Sequence, residues 1–474
     1  MRYVNGQDRE QTTLFPATLD EYITDDNTVR VIDAFVETLD LVELGFAYSQ
    51  PKDTGRKAYN PADMLRLYLY GYLYRVRSSR RLEAETHKNV EVMWLLRMLR
   101  PDFKTIADFR KDNKKAIRNA CREFTLLCRK LDLFGLELFG IDGSKFSAVN
   151  HNHKAFTKEK LTKLLEKIDE KIDNFLQTLE KGDDNENEID KPTADQLEQK
   201  IKDLKKRKQT YESYQEQLEK SNESQIVLTD PDSRLMRTSH NGRDVCYNVQ
   251  IAVDNKFKLI AVADVTNDAN DMHQLSNMTD NVKKTFDLEN FKAVADIGYF
   301  EKSEIKKCHN NGVDCYVPEP KSPNHKLDKF TNKDFQYDAK GDYYTCPAGQ
   351  NLKPGGIRKD RMEVYYKTSA CKACPIKIKC TNAKSGRRII YRWEHQKVIE
   401  DMQHKLKQNP QYMDERRNIA EHPFGTMKRA FGFTHFLCKG LDMVNTEMNL
   451  SVIAYNMRRV INIVGVKELI SALA

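Results

Sequence analysis

The sequence predicts an all-α region followed by an α/β domain that carries two insertions. Between Tyr59 and Leu133, apolar residues recur three and four positions apart, which is the spacing of amphipathic helices. Beyond this region, short apolar runs such as LELFGIDGSKFSA and FKAVADIGYF alternate with helical patterns, which is typical of an α/β sheet. We therefore expect an all-α domain at residues 1–135 and an α/β domain at residues 136–474.

Length and composition restrict the class of protein. The 474 residues are enough for two to four domains of roughly 100 to 200 residues each. Charged residues make up 31% of the chain, and no apolar run reaches the roughly 20 residues of a membrane span. The first residues lack the apolar segment of a secretory signal. These features predict a soluble cytoplasmic protein whose ten cysteines stay reduced.

Basic residues cluster at the breaks between the predicted N-terminal helices. The net charge of +8 permits a polyanionic partner but does not require one. Positive charge at helix joints suits the phosphates of duplex DNA, and the alternative is a helical bundle whose solvated corners are basic. The candidate DNA contacts in this region are Arg77, Arg80, Arg81, Lys104 and Arg110.

Two segments interrupt the α/β pattern. Residues 157–222 carry two apolar stripes separated by a polar segment, which predicts an inserted antiparallel helical hairpin. Residues 335–390 contain cysteines spaced C-x24-C-x2-C-x5-C, and such thiolates, brought together by turns, match a closed structural Zn²⁺ site. Free thiols and a redox pair are the alternatives, although the thioredoxin-like context of a redox pair is absent. The candidate zinc ligands are Cys346, Cys371, Cys374 and Cys380.

Two aspartates are predicted to end apolar strands, and a glycine closely follows each of them. They are Asp142 in FGIDGSKF and Asp296 in AVADIGYF. A carboxylate in this position can bind a hard cation such as Mg²⁺, and glycine allows the backbone to approach closely. Two such carboxylates can share a metal pair that clamps the attacking and leaving oxygens of a phosphoryl transfer. The alternative is that each aspartate caps the turn that follows it.

A third carboxylate comes from the C-terminal part of the chain. Arg417, Glu421 and Lys428 lie at i, i+4 and i+11, so they fall within about 40° of one another on one helix face. This face would add a metal ligand flanked by two cations that hold DNA phosphates. Pro423 should kink the helix. An ordinary surface ion pair between Arg417 and Glu421 is the alternative.

The motifs DGSKF, DIGYF and RNIAEHPFGTMKR resemble the three acidic motifs of bacterial DDE transposases, in particular those of insertion-sequence family 1182. The resemblance covers nearly the whole chain, including PDFKTIADFRKDN and the cysteine-rich segment. Related transposases carry Tyr, Arg, Glu and Lys with two, three and six intervening residues. Arg417, Glu421 and Lys428 fit this pattern, but Asp414 stands at the tyrosine position and Tyr412 lies two residues earlier.

The resemblance implies a ribonuclease H-like catalytic domain in which Asp142, Asp296 and Glu421 hold two Mg²⁺ or Mn²⁺ ions. It implies a DNA transposase that binds the ends of its element, cleaves them and joins them to target DNA. The partners would be double-stranded DNA and a second copy of the chain, at the bacterial nucleoid. Two other functions remain open, namely a metal-dependent nuclease that joins no strands and a zinc-containing DNA-binding regulator without enzymatic activity.

Overall fold

A computed structural model describes residues 18–50, 58–150, 154–182, 194–221, 223–238, 242–321 and 329–473. The N-terminal part is helical, as predicted, and local sequence signals explain where its helices begin. Pro61 occupies the first turn of the second helix, and the Asn60 side chain accepts a hydrogen bond from the Ala62 amide. The described N-terminal helices are α1 (Thr28–Glu37), α2 (Pro61–Leu73), α3 (Ser79–Lys88), α4 (Val90–Leu95), α5 (Phe103–Asp112) and α6 (Lys114–Lys130).

A mixed sheet follows the N-terminal helices. Its strands run in the order β4-β5-β1-β7-β8, and β6 also pairs with β5. β1 is antiparallel to β5 and parallel to β7, and β7 is parallel to β8. The strands in this half of the chain are β1 (Leu138–Ser147), β2 (Ala155–Thr157), β3 (Gln225–Val227), β4 (Arg234–Arg237), β5 (Arg243–Asp254), β6 (Ile260–Thr266), β7 (Phe291–Val294) and β8 (Val313–Tyr316).

Helices cover both faces of this sheet. β5 is buried without interruption from Val245 to Asp254, as expected for a strand with both faces covered. One face carries a helix of the C-terminal region that packs on β1, β5 and β7. The helices of the second half are α7 (Lys158–Gly182), α8 (Ala194–Ser221), α9 (Leu275–Phe286), α10 (Lys302–Asn310), α11 (Gln396–Gln408), α12 (Gln411–Gly425), α13 (Leu441–Val464) and α14 (Val466–Leu473).

The N-terminal helices share an apolar core with the sheet. Phe124 of α6 and Phe139 of β1 belong to one continuous buried cluster, and α13 packs against both α2 and α6. A buried ion pair joins the two regions, because Arg77 Nη1 lies 3.3 Å from Glu447 Oε1 of α13. The boundary predicted at residue 135 falls in the connection between α6 and β1, and the core runs across it.

Each segment predicted as an insertion has its own small core. Helices α7 and α8 pack against each other around Leu161, Ile168 and Leu218, next to the paired strands β2 and β3. The connecting segment at 183–193 lies outside the described residues. The cysteine-rich segment forms an antiparallel sheet in the order β13-β12-β11-β10-β9. Its strands are β9 (Gln336–Asp338), β10 (Tyr343–Thr345), β11 (Asn351–Arg358), β12 (Glu363–Lys367) and β13 (Ile390–Trp393).

Helix α12 continues through Pro423 to Gly425, and a π-helical turn follows at Thr426–Ala430. Since proline has no amide hydrogen, it cannot donate to Ile419, and the departure from α-helical geometry comes at the next turn. In the described part of the chain, no helix combines the length and apolar character needed to cross a membrane.

Candidate active site

Helix α12 lies across the face of the sheet that carries Asp142. Gly140, Asp142 and Ser144 point to the same side of β1, because side chains alternate along a strand. A Cβ atom on Gly140 would lie 2.7 Å from Ile419 Cγ2, so the missing side chain is what allows α12 to approach β1 this closely. The helix that carries Glu421 is therefore packed directly against Gly140, two residues before Asp142.

Asp142 lies in the middle of β1 and not at its end, contrary to the sequence-based expectation. The parallel pairing with β7 stops at Gly140, but the antiparallel pairing with the long strand β5 continues to Ser147. The end of β1 was predicted from the end of its apolar run, but pairing with β5 continues the strand beyond that point. Asp142 remains at the position where its neighbour β7 ends, and Asp296 follows β7 there.

The structure brings Asp142 and Asp296 together on one cation. Arg416 Nη2 lies 3.3 Å from Asp142 Oδ1 and 3.6 Å from Asp296 Oδ2. Asp296 also accepts a hydrogen bond from the Gly298 amide at 2.7 Å, so it caps the turn after β7 as the alternative interpretation proposed. Capping engages Oδ1, while Oδ2 faces the arginine.

Burial dominates the electrostatics of this pair. It raises the pKa of Asp142 to about 6, Arg416 acts in the opposite direction, and the nearby carboxylate of Asp296 adds to the increase. The Arg416 side chain is only 15% exposed, and its Nε has no hydrogen-bond partner among the described residues. The site therefore places two carboxylates against a single, incompletely bonded guanidinium.

Of the three residues on the predicted helix face, Lys428 forms hydrogen bonds to β1. Lys428 Nζ donates to Ser144 Oγ at 2.6 Å and to the Lys145 carbonyl at 3.0 Å, so this amine lies two residues beyond Asp142 along β1. Glu421 and Arg417 are both exposed, and neither forms an ion pair with any described residue, including each other. Within the described ranges, no three His, Cys, Asp or Glu side chains are grouped so that they could hold a metal ion.

The sequence analysis missed Arg416 and Asp271. Asp271 lies between β6 and α9, and its Oδ1 accepts from Asn248 Nδ2 and Gln250 Nε2, each at 2.7 Å, and from Lys145 Nζ at 3.3 Å. The Asp271 carboxylate also raises the pKa of Asp142. No signal in the sequence separates Asp271 from the other acidic residues of its polar loop, and the motif spacing favoured Arg417 over its neighbour Arg416.

The glycines of the two aspartate motifs have a steric role around Asp271. A Cβ atom on Gly143 would lie 2.8 Å from Asp271 Oδ1 and 3.1 Å from the Tyr299 hydroxyl. The Tyr299 hydroxyl donates in turn to Gln250, and both of these side chains are fully buried. DGSKF and DIGYF are thus connected through one buried hydrogen-bond network next to the aspartates.

We expect Gly143→Ala to destabilise the protein by about 1 to 3 kcal/mol, because the added methyl group overpacks the buried network around Asp271. Thermal or chemical denaturation measures this change. Gly425→Ala is the matched control, since no atom lies within 4 Å of its added methyl group and the site is helical. It should be neutral or stabilising by about 0.5 to 1 kcal/mol. Equal stability of Gly143→Ala and wild type would contradict the steric role of Gly143.

The N-terminal candidates for DNA contact divide into exposed and buried side chains. Arg80, Arg81 and Lys104 are exposed, and the Arg80 guanidinium lies 4.5 Å from the centre of the Phe103 ring. Arg110 is buried against the Tyr72 hydroxyl, and Arg77 is held by Glu447. Burial argues against the direct phosphate contact predicted for Arg110, and the bonds of Arg77 to Glu447 and to the His435 carbonyl argue against the one predicted for Arg77.

The four candidate zinc ligands line one small apolar cavity of about 30 Å³. Burial raises the pKa of Cys380, and the other three thiols are close enough to raise it further, while Arg388 acts in the opposite direction. Cys346 Sγ accepts a hydrogen bond from the Gln350 amide at 3.4 Å. The segment thus gathers the predicted thiols on one cavity, although they do not form a coordinating group there.

Two regions of the chain match protein families. Residues 17–112 match the family described as "Transposase domain (DUF772)", and residues 345–461 match "Transposase DDE domain". No curated protein matches the chain. One solved structure, the "Cryo-EM structure of piggyBac transposase synaptic complex with hairpin DNA (SNHP)", has a chain 8% identical to this one. That match covers 94% of this chain and 79% of the other with a TM-score of 0.30, which is too low to support an inference.

Proposed function

Because the chain is a member of the DDE transposases, we propose that it binds the ends of an insertion sequence, cleaves them and joins them to target DNA. It would do so as a homodimer on double-stranded DNA at the bacterial nucleoid. The observation that carries this proposal is the convergence of Asp142 and Asp296 on one cation next to the end of β7. Membership in insertion-sequence family 1182 stays a prediction.

We propose further that the sheet is a ribonuclease H-like core whose carboxylates hold two Mg²⁺ or Mn²⁺ ions. Asp142 and Asp296 fit one part of such a centre, since Asp142 lies on β1, Asp296 follows the adjacent strand β7, and the two already share a positive group. Glu421 is the proposed third ligand, on the helix that crosses β1. Bound Mg²⁺ would supply activation of the attacking oxygen and stabilisation of the leaving oxygen.

The protein's own residues have separate tasks in this proposal. Lys428 and Lys145 place two partly buried amines near Asp142, the first against Ser144 and the second against Asp271, where a DNA phosphate can be bound. Asp271 holds Lys145 in place. Arg80, Arg81 and Lys104 would hold the flanking duplex through its phosphates.

An assay with labelled element ends and Mg²⁺ tests the function. Cleavage followed by joining to a target duplex supports a transposase. Cleavage without joined products supports the nuclease alternative, and binding without cleavage supports the regulator. The DNA that flanks the gene supplies the substrate, because a pair of inverted repeats there would define the ends.

We expect the double variant Arg80→Ala/Arg81→Ala to bind element ends more weakly. The slope of log affinity against log salt should become shallower by roughly 2, or about one for each lost phosphate contact. Fluorescence anisotropy at several salt concentrations measures both quantities. Lys88→Ala, at the other end of α3, is the control and should keep the wild-type slope. An unchanged slope in the double variant would remove these arginines from the interface.

We propose that Cys346, Cys371, Cys374 and Cys380 bind one structural zinc ion, and the cavity that they share supports this. Elemental analysis of protein purified without chelator should find about one zinc per chain. Cys374→Ser should lose most of it and unfold mainly the cysteine-rich sheet, because metal-binding energy is folding energy in such segments. Cys128→Ser, buried in α6, is the control that should keep the zinc. Wild-type protein without zinc would refute the site.

A further inference from the structure

We propose that Arg416 is an internal counter-ion which occupies the metal position between Asp142 and Asp296 and must withdraw before a divalent cation can bind. The inference rests on the proposed function, since it takes these two aspartates as metal ligands. It adds a role for a residue that no motif or family match assigns.

The guanidinium and a shared metal ion would compete for the same two carboxylates. A single atom, Arg416 Nη2, lies within 3.6 Å of an oxygen from each carboxylate. Mg²⁺ binds carboxylate oxygens at about 2.0 to 2.1 Å, so an ion shared by the same two carboxylates would be crowded by the guanidinium that now pairs with both of them. Two cations this close would also repel each other, and the low exposure of Arg416 and Asp142, 15% each, limits the screening of that repulsion by water.

The hold on Arg416 is loose enough for it to be displaced. Its contacts of 3.3 and 3.6 Å are longer than the roughly 2.7 to 2.9 Å of a strong charge-assisted hydrogen bond. Its buried Nε donates to no described acceptor. Arg66 of α2 provides the contrast within the same protein. Arg66 Nε donates to Asp33 at 2.7 Å, and its other nitrogens pair with Asp63 and Glu37.

Without metal, Arg416 stabilises the empty site. The largely buried Asp142 carboxylate would otherwise lie near the partly exposed Asp296 carboxylate without a counter-charge, which is unfavourable. Removing the arginine should therefore have two opposite effects. It should weaken the metal-free fold and strengthen the binding of a divalent cation.

Mn²⁺ binding to the full-length protein without DNA tests this directly. The loss of the free Mn²⁺ signal in electron paramagnetic resonance gives the affinity, and thermal melting in EDTA and in Mn²⁺ gives the stability. We expect Arg416→Gln to bind Mn²⁺ on the order of tenfold more tightly than wild type, a typical size for coupling between two sites. In EDTA it should melt at a lower temperature than wild type. Mn²⁺ should raise its melting temperature by more than it raises that of wild type.

Arg417→Gln is the matched control, since it removes the same charge from the next position of α12, where the side chain is exposed. It should keep the wild-type affinity and melting temperature. Arg416→Lys retains a positive charge, so its Mn²⁺ affinity and melting temperature should lie between those of wild type and Arg416→Gln. It replaces the glutamine variant in the test if that variant does not fold.

The outcomes separate this inference from the proposed function. If wild type binds Mn²⁺ and neither Arg416→Gln nor Arg416→Lys binds it more tightly, the role of Arg416 is overturned. The proposed metal centre is then not contradicted. An equal increase in Mn²⁺ affinity in Arg417→Gln would also overturn that role. The loss of one positive charge from α12, and not the position of Arg416, would then explain the increase. Absence of Mn²⁺ binding in wild type and in both Arg416 variants would instead refute the metal centre itself.

Discussion

Asp142→Asn and Asp296→Asn should each lower the rate of DNA strand cleavage by a factor on the order of 10³ or more. An amide carries no charge and binds Mg²⁺ poorly, so each change removes stabilisation worth several kcal/mol in the transition state. Binding to element ends should stay near the wild-type level, because the exposed basic residues of α3 and α5 are unchanged. Cleavage is measured on end-labelled DNA under single-turnover conditions, and binding by anisotropy.

Asp287→Asn is the control for these variants, since it makes the same chemical change at an exposed residue after α9. Its backbone is left-handed, a conformation that asparagine also tolerates, so stability and cleavage should be preserved. Glu421→Gln should be as inactive as the aspartate variants. If it cleaves DNA normally while Asp142→Asn does not, the third ligand is another residue, and Asp271, whose charge also acts on Asp142, is the next candidate.

Glu447→Ala should destabilise the protein by about 3 to 5 kcal/mol, since removing one member of a buried ion pair leaves the other charge uncompensated. Glu447 is fully buried, and its carboxylate accepts hydrogen bonds from the Leu437 and Cys438 amides as well as from Arg77. The alanine variant would leave the Arg77 side chain, which is only 11% exposed, without its carboxylate partner and with the His435 carbonyl as its remaining acceptor. Urea denaturation monitored by circular dichroism measures the free energy of unfolding.

Glu447→Gln is the matched control, because it keeps the shape of the side chain and one acceptor oxygen. We expect it to lose less stability than the alanine variant. A loss of under about 1 kcal/mol in Glu447→Ala would show that Arg77 finds another partner or reaches water, and would return Arg77 to the candidates for DNA contact.

Features with a local cause could be predicted from the sequence. The helical N-terminal region follows from its apolar periodicity, and Asp142 and Asp296 were identified because each stands beside an apolar run and a glycine. The role of Arg416 could not be predicted, because it depends on where α12 crosses β1, more than 270 residues earlier in the chain. Likewise, Arg77 looked like a surface cation because its partner Glu447 lies 370 residues away.

The core that joins α2, α6 and α13 to the central sheet also determines how the chain can open. The N-terminal helices cannot detach without exposing apolar side chains such as Phe124, so they and the sheet should unfold together as one cooperative unit. The α7–α8 hairpin and the cysteine-rich sheet have separate cores and can open locally while that unit stays intact. If the N-terminal helices hold DNA as proposed, a force on that DNA would reach the aspartates through this continuous core, without passing through a hinge at residue 135.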